Sequence, residues 1–345
     1  MPDPTGEFTI RAYLAGKIDL SQAEAVADLI ASSSRADHAL ATNQMRGGYS
    51  EELEGLRDKL LQLTSLLELE LDFSEEDVEF ADRTALRETM ERIGGEIDRL
   101  RNSFALGNAI KEGVAVAIVG APNVGKSTLL NRLLNEDRAM VSEIAGTTRD
   151  VIEEQANIGG VRFRFLDTAG IRATGDRLER MGIERTMESI RRAQVVIRLL
   201  DARDLEGGIP AAEFTLRQEQ RLLTVINKLD AAPEGFRPME GTIGISARRG
   251  DGIEALCRAL RDAVDTEGVY HGETVVSNSR HYEALTAARQ SLASALDGLD
   301  RGLPADLLSE EIRPVISRLG EITGRGAIAP DEVLENIFSK FCIGK

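Results

Sequence analysis

The chain has 345 residues, of which 42% are hydrophobic, and a formal net charge of −16 at pH 7. This length allows two domains with a sizeable core, and the acidic balance argues against a protein that coats nucleic acid by charge alone. No run of about 18 apolar residues occurs, so the sequence predicts no membrane span. Two cysteines, Cys257 and Cys342, suit a reducing cytoplasm, where we expect the protein to act.

The first part of the chain predicts helices. In "DLSQAEAVADLI", Ser21 and Glu24 have the spacing of a capping box. "YSEELEGLRDKLLQLTSLLELELDF" repeats leucine every three or four residues, and "RTALRETMERIGGEIDRLRNSF" predicts a further amphipathic helix. The widely spaced histidines (His38, His271 and His281) give no metal-ligand pattern, and we expect them to be solvated or to cap helices.

The pattern changes to strands near residue 112. "GVAVAIVG" is a short β-branched run that ends in glycine, as a buried parallel strand does, and "VIEEQANIGGVRFRFLDTAG" predicts two strands around the turn Gly159-Gly160. "AQVVIRLLDA", "RLLTVINKLD" and "GTIGISA" supply further strands, separated by helical or loop segments. This alternation predicts a doubly wound, mostly parallel sheet with one antiparallel edge hairpin.

Helical patterns return after about residue 268, in "RHYEALTAARQSLASALDGLD", "PADLLSEEIRPVISRLGEIT" and "PDEVLENIFSKF". An α/β domain is therefore predicted at 111–268. The flanking segments, 1–110 and 269–345, would pack together as one discontinuous all-α helical domain.

A phosphate-binding loop follows the first predicted strand. "GAPNVGKS", Gly120 to Ser127, has the pattern G-x-x-x-x-G-K-S and opens a helix. The glycines let backbone N–H groups face the β-phosphate, Lys126 reaches the β- and γ-phosphates, and the Ser127 hydroxyl binds Mg²⁺. Alone, this loop indicates only a nucleoside triphosphate.

Three further motifs identify the nucleotide as GTP. "DTAG" places Asp167 near Mg²⁺ and the Gly170 amide near the γ-phosphate, and "SAR" suits a backbone contact to guanine O6. In "NKLD", the Asp230 carboxylate can accept from both N1–H and the exocyclic amine of guanine, and adenine offers neither donor in that arrangement. The fold class is therefore an α/β P-loop GTPase domain inserted into a discontinuous helical domain. The predicted GTP-binding residues are Asn123, Val124, Gly125, Lys126, Ser127, Thr128, Ser142, Glu143, Ile144, Ala145, Gly146, Thr147, Thr148, Asp167, Thr168, Ala169, Gly170, Asn227, Lys228, Asp230, Ser246, Ala247 and Arg248.

The catalytic details depart from those of many regulatory GTPases. Ile171 stands where those proteins carry a water-orienting glutamine, so another group must orient water. Thr148, in the switch loop "VSEIAGTTRD", can be the second Mg²⁺ hydroxyl ligand. Asn123 offers a side-chain carbonyl near the phosphates, where a monovalent cation could replace an arginine finger.

The motifs "GAPNVGKSTLLNRLL", "IAGTTRD", "DTAGIR…ERMGIER", "GEFTIRAYLAGKIDLSQAEAVADLI" and the terminal "FCIGK" together resemble MnmE (TrmE), the tRNA uridine-modifying GTPase family. The resemblance is colinear over nearly the whole chain. It implies a K⁺-activated GTP hydrolase whose G domains form a homodimer across the nucleotide. With an FAD-dependent partner, MnmG, the family adds an aminomethyl or carboxymethylaminomethyl group to carbon 5 of the tRNA wobble uridine.

The resemblance also implies roles for particular residues. Glu179 would orient the attacking water, although a solvated position at a helix start is the alternative. Cys342 would take part in uridine chemistry, or else be a small buried residue that closes the last helix. Lys17 and Lys345 match lysines that contact a tetrahydrofolate derivative. The implied ligands are Asn123, Ser142, Ile144 and Thr147 for K⁺, and Ser127 and Thr148 for Mg²⁺.

The family has an N-terminal folate-binding domain that mediates dimerisation, and this sequence starts after it, as a truncated form, a fragment or a natural short form. Folate binding and constitutive dimerisation are the functions that this departure affects. An alternative hypothesis is a GTPase binding switch in ribosome assembly, without modification chemistry. Such relatives usually carry a basic RNA-binding module or a second G domain, and neither pattern occurs here.

Overall fold

The computed structural model describes residues 6–72, 82–138, 154–166, 179–205, 216–217, 219–264 and 266–325. These residues form two compact units. One, the α/β unit, is Glu112–Asp265, and the other, the helical unit, contains the described residues up to Lys111 and from Thr266 onward.

The secondary-structure elements follow the predicted order of helices, then alternating strands and helices, then helices. The helices are α1 (Glu7–Leu14), α2 (Leu20–Ala31), α3 (Arg35–Met45), α4 (Gly48–Asp72), α5 (Arg83–Glu112), α6 (Lys126–Arg138), α7 (Glu179–Arg192), α8 (Ile253–Asp262), α9 (Glu267–Tyr270), α10 (Ser279–Asp300) and α11 (Ala305–Thr323). The strands are β1 (Val114–Val119), β2 (Glu154–Ile158), β3 (Val161–Phe165), β4 (Val195–Asp201), β5 (Arg221–Asn227) and β6 (Ile243–Gly244).

The core of the helical unit is built from α4, α5, α10 and α11. Leu53, Leu56, Leu60 and Leu67 line one face of α4 and are almost completely buried. This spacing of three, four and seven residues confirms the predicted amphipathic pattern, and it places the leucines against the apolar faces of the other three helices. Since α10 and α11 follow the α/β unit in sequence, the two segments of the helical unit share one core.

The start of α2 corrects the predicted capping box. Asp19, not Ser21, is the N-cap: its Oδ1 accepts from Gln22 N at 2.9 Å, and Gln22 Oε1 accepts from Asp19 N at 3.0 Å. The prediction from Ser21 and Glu24 was wrong because the same spacing occurs two residues earlier, with an aspartate and a glutamine. Glu24 is instead 7% exposed and lies inside the helical unit.

Glu24 belongs to a buried ionic cluster with two residues of α10. Arg280 donates from Nε and Nη2 to the two carboxylate oxygens at 2.9 and 3.0 Å, and His281 Nε2 lies 2.6 Å from Oε2. His281 is 1% exposed, so the expectation of a solvated or capping histidine was wrong for this residue. The cluster joins α2 to α10 across a long interval of sequence.

The α/β unit contains a six-stranded sheet of order β2-β3-β1-β4-β5-β6. β2 and β3 pair antiparallel around Gly159 and Gly160, both with positive φ, and the other neighbouring pairs are parallel. The edge hairpin and its turn are therefore confirmed. All six residues of β1 are buried, as expected for a central strand of a doubly wound sheet.

Helices cover the sheet of the α/β unit. Ile190 of α7 packs with Ala115 and Ala117 of β1 on one face, while Val114 and Val116 point to the opposite face and are also buried. Together with the helical unit, this confirms the predicted fold class: a mostly parallel α/β domain inserted into a discontinuous helical domain. No strand occurs among the described residues of the helical unit.

Candidate nucleotide-binding site

The phosphate-binding loop follows β1 and leads into α6. Gly125 has φ +107°, and a Cβ there would lie 2.3 Å from Asn227 Nδ2. A Cβ at Gly120 would lie 2.4 Å from the Leu199 carbonyl oxygen. The two glycines therefore allow the loop to pack closely against β4 and β5. Parallel strands open a crevice at their carboxyl ends, where ligands of such sheets bind.

Lys126, the first residue of α6, bends back over this loop. Its Nζ donates to the carbonyl oxygens of Gly120 at 2.7 Å and Ala121 at 2.9 Å. Burial lowers the pKa of Lys126. An ammonium group in this position can donate to phosphate oxygens in place of these carbonyl oxygens. Ser127 is half-buried and Thr128 exposed in the same first turn of α6.

Asn227, at the end of β5, ties the phosphate-binding loop to the loop after β6. It is 2% exposed, and its Nδ2 donates to the Val124 carbonyl oxygen at 2.9 Å. Its Oδ1 accepts from the Ala247 N–H at 3.0 Å. The two ends of the amide thus connect the loops around the crevice, and the amide nitrogen carries a second N–H. The backbone contact to guanine O6 that "SAR" predicts must therefore share the Ala247 N–H with Asn227 or use another N–H of this loop.

Lys228 follows in a left-handed conformation, with φ +66°. Its Nζ donates to the Asn123 carbonyl oxygen at 2.7 Å and to Asp201 Oδ2 at 2.8 Å. Asn123 is exposed and is also left-handed, with φ +61°. A second tie therefore joins the phosphate-binding loop to the "NKLD" segment, on the more exposed side of the crevice.

Asp230 lies in the short 3₁₀ turn Leu229–Ala231 and accepts from Ser246 Oγ at 2.6 Å. The Ser246 hydroxyl, whose residue is fully buried, holds the pKa of the Asp230 carboxyl below its usual range. The side chain is consequently a charged acceptor, oriented by the "SAR" loop. Arg132 of α6 braces that loop by donating to the carbonyl oxygens of Ala247 at 3.3 Å and Arg248 at 2.9 Å.

A cavity of about 350 Å³ lies beside the phosphate-binding loop, at the carboxyl end of β4. Its lining residues are Ala121, Pro122, Val124, Leu200, Asp201, Arg203 and Asp204. Asp201 and Arg203 were absent from the sequence-based prediction. A polar residue at the end of a parallel strand next to β1 was the signal that could have suggested Asp201.

Comparison with known proteins identifies the family. The family model for the MnmE helical domain matches residues 20–342. The tRNA modification GTPase MnmE of Cytophaga hutchinsonii is 51% identical over 346 residues, which cover 99% of this chain and 75% of that protein. The chain belongs to the MnmE family of tRNA modification GTPases.

Other members show the same extent of similarity. MnmE of Bacteroides thetaiotaomicron is 51% identical over 355 residues, covering 99% of this chain and 76% of its own. MnmE of Flavobacterium johnsoniae is 50% identical over 357 residues, with the same coverage. The chain thus spans about three quarters of the length of these relatives.

Solved structures give weaker similarity. The G domain of FeoB from Methanococcus jannaschii has a TM-score of 0.32 and 24% identity, covering 43% of this chain and 96% of its own. The cytosolic domain of Thermotoga maritima FeoB has a TM-score of 0.34 and 16% identity, covering 61% and 98%. The fold assignment above depends on the strand order and pairing of the sheet itself.

The structure brings together the predicted residues 123–128, Asn227, Lys228, Asp230 and 246–248 at one crevice. Lys17, in the turn after α1 in the helical unit, is exposed. Glu179 begins α7, and its side chain lies outside the described residues. The predicted residues of 142–148 and 167–170, together with Cys342 and Lys345, also lie outside them. Among the described helices, none combines the length and apolar character needed to cross a lipid bilayer.

The segment "GIEALCRALRDAV" has the spacing of an amphipathic helix and predicts Cys257 as a core residue, which the structure corrects. It is only half-buried on α8, whose buried face carries Ile253, Leu256 and Leu260. The helix is amphipathic as predicted, but position 257 lies at the edge of its apolar face rather than at the centre.

Proposed function

We propose that this member of the MnmE family is a K⁺-activated GTP hydrolase that acts in the cytoplasm with an FAD-dependent, MnmG-type partner. Its product would be tRNA whose wobble uridine carries an aminomethyl or carboxymethylaminomethyl group at carbon 5. Family membership supports the tRNA part of the proposal. The hydrogen bonds that Lys126, Asn227, Lys228 and Asp230 form at the crevice support the nucleotide part.

Guanine selection is assigned to Asp230. The Ser246 hydroxyl, 2.6 Å from Oδ1, orients this carboxylate and favours its charged form. One charged carboxylate can accept from N1–H and the exocyclic amine of guanine together. Adenine presents an acceptor at N1, so it would leave the carboxylate without its donors, and a site built on hydrogen bonds rejects such a base strongly.

The triphosphate is assigned to the phosphate-binding loop and the first turn of α6. Lys126 would exchange its bonds to the Gly120 and Ala121 carbonyl oxygens for phosphate oxygens. The half-buried Ser127 hydroxyl, next in sequence, is an oxygen donor of the kind that Mg²⁺ prefers beside substrate phosphates. Thr148, outside the described residues, would be the second protein ligand of Mg²⁺.

Potassium is assigned to the exposed side chain of Asn123. Its left-handed backbone is fixed by the bond from Lys228, and its amide oxygen suits a hard monovalent cation. Such a cation, when bound, would neutralise negative charge that develops on the phosphates. Ser142, Ile144 and Thr147 would complete its ligands. In the absence of a glutamine at position 171, Glu179 would orient the attacking water after two G domains form a homodimer.

The helical domain is assigned to the uridine chemistry. We place its parts at 1–110 and 269–345, around a GTPase domain at 111–268. Cys342 would act near the uracil ring as a nucleophile if neighbouring cations lower its pKa. Lys17 and Lys345 would supply part of a site for a tetrahydrofolate derivative, and further residues would be needed to complete it.

The potassium assignment is tested by GTP turnover in KCl and in NaCl at equal ionic strength. We expect turnover to be at least about tenfold faster in KCl, because electrostatic stabilisation of transition-state charge can produce rate effects of this size. The Asn123→Ala variant should lose this difference while still binding GDP. The matched control is Asn131→Ala, which changes an exposed asparagine of α6 and should behave as wild type. Equal wild-type rates in the two salts would overturn the assignment.

A further inference from the structure

The carboxylate of Asp201 lies in the nucleotide crevice, between the phosphate-binding loop and the "NKLD" segment. Asp201 is the last residue of β4 and pairs in register with Asn227 of β5. Its Oδ2 accepts from Lys228 Nζ at 2.8 Å and from Arg203 Nη2 at 2.7 Å. Its Oδ1 accepts from Arg203 Nε at 2.9 Å and from the Arg203 backbone N–H at 3.0 Å. One carboxylate therefore receives two cationic side chains.

The Lys228 ammonium continues this chain of contacts to the phosphate-binding loop, where it donates to the Asn123 carbonyl oxygen at 2.7 Å. Asn123 and Lys228 are the two non-glycine residues with positive φ in the part of the chain that the structure describes. A left-handed backbone is unfavourable for a lysine and less so for an asparagine, and contacts with neighbouring groups stabilise it. The Lys228 ammonium therefore connects the two left-handed residues, because it donates to the peptide carbonyl oxygen of Asn123.

We propose that Asp201 is a positioning residue for guanine nucleotides, which acts by fixing the Lys228 ammonium between the base-reading turn and the phosphate-binding loop. Asp230 follows Lys228 by two residues, so holding Lys228 also sets the position of the carboxylate that would read guanine. This inference rests on the proposed guanine-nucleotide site and adds to it a residue that would not touch the nucleotide itself.

The charge of Asp201 supports this role. Hydrogen bonds from Arg203, followed by the one from Lys228, hold the pKa of the Asp201 carboxyl well below its usual range. The ion pair with Lys228 is therefore intact at neutral pH. A bond between the ammonium and a carboxylate is stronger than the ammonium–amide bond that an asparagine at position 201 would leave.

A second tie between the same loops gives the comparison that separates positioning from general stability. Asn227 joins Val124 to Ala247 inside the unit, independently of Asp201. The α/β unit should therefore fold when Asp201 is replaced, and only the exposed side of the crevice should loosen.

The test is a double-mutant cycle on GDP affinity, with Asp201→Asn, Lys228→Met and the double variant. Affinity is measured by displacement of a fluorescent guanine nucleotide. We expect Asp201→Asn to weaken GDP binding about tenfold and the double variant to bind no more weakly than Lys228→Met alone. Effects that multiply independently would overturn the proposal, because Asp201 would then not act through Lys228. Asp262→Asn, which removes the same charge from an exposed position at the end of α8, should leave binding unchanged.

Two further measurements make each outcome decisive. Failure of the wild type to bind GDP would refute the proposed function. If the wild type binds GDP but the effects of the two single substitutions multiply in the double variant, only the role of Asp201 is refuted. The thermal midpoint of each variant without nucleotide shows whether it folds. If Asp201→Asn does not fold, the cycle is run with Asp201→Glu, which keeps the charge but displaces it. That variant should weaken binding when Lys228 is present and have no effect in the Lys228→Met background, and equal weakening in both backgrounds would overturn the proposal.

Discussion

Replacing Glu24 with glutamine should destabilise the helical unit by about 3 kcal/mol at pH 7. The substitution keeps the shape of the side chain but removes the charge that Arg280 and His281 contact at 2.9 and 2.6 Å. It would leave the half-buried guanidinium of Arg280 without its anion, and removing one partner of a desolvated ion pair is costly. Arg280 would keep its bonds to the carbonyl oxygens of Glu321 and Ile322 at the end of α11 and its contact with His281 Nε2, none of which supplies a negative charge.

The magnitude comes from the pKa of Glu24. Burial raises this pKa, but the charges and hydrogen bonds of His281 and Arg280 outweigh burial and lower it from 4.5 to about 2. A difference of about 2.5 pH units, at about 1.4 kcal/mol per unit, corresponds to about 3 kcal/mol. Because the pKa is lower in the folded protein, this stability is fully present above pH 4.5 and is lost as the pH falls through 2. About half should remain near pH 3.

The assay is urea unfolding followed by far-ultraviolet circular dichroism, since the chain contains no tryptophan. Wild type, Glu24→Gln and the control Glu283→Gln, an exposed carboxylate on α10, are compared at pH 7 and at pH 3. The wild type should exceed Glu24→Gln by about 3 kcal/mol at pH 7 and by about half of that at pH 3, while the control stays within about 0.5 kcal/mol of wild type. A difference that does not change with pH would refute the charge-based reasoning.

Two other substitutions test a close contact in the helical unit and base selection in the α/β unit. Gly107→Ala would place a Cβ 2.2 Å from the Val276 carbonyl oxygen, so urea unfolding should show a loss of about 2 kcal/mol. Gly95→Ala on the same helix meets open space and should be neutral or slightly stabilising; a similar loss at both sites would contradict this. Asp230→Asn should move nucleotide preference from GDP to XDP in competition assays, because an amide donates to the 2-oxo group of xanthine. The exposed control Asp251→Asn should keep GDP, and retention of GDP by Asp230→Asn would contradict guanine reading by this residue.

Local patterns predicted most of the fold. The hairpin at Gly159-Gly160 and the buried strand β1 follow from residue types that favour turns and strands over short intervals. The capping box failed because two overlapping segments fit the same short pattern, and sequence spacing does not show which side chain faces water. Glu24 finds its partners 256 and 257 residues later in the chain, which no local pattern reveals.

The candidate site shows the same division. Lys126 and Asp230 belong to motifs whose spacing already implies a chemical role, so they could be named before the structure was known. Asp201 belongs to no such motif. Its importance depends on the lateral pairing of β4 with β5, which places it 2.8 Å from Lys228, and on the left-handed turn that brings the lysine back toward Asn123. Such contacts follow from tertiary packing.

We propose that GTP turnover by this chain supports modification of the wobble uridine. The most direct measurement is mass spectrometry of tRNA nucleosides from cells with and without the gene, and from deletion cells that carry wild type, Lys126→Ala or the control Asp262→Asn. Deletion should remove the 5-substituted uridines, and wild type and Asp262→Asn should restore them, whereas Lys126→Ala should not. An unchanged nucleoside profile on deletion, or restoration by Lys126→Ala, would contradict this proposal.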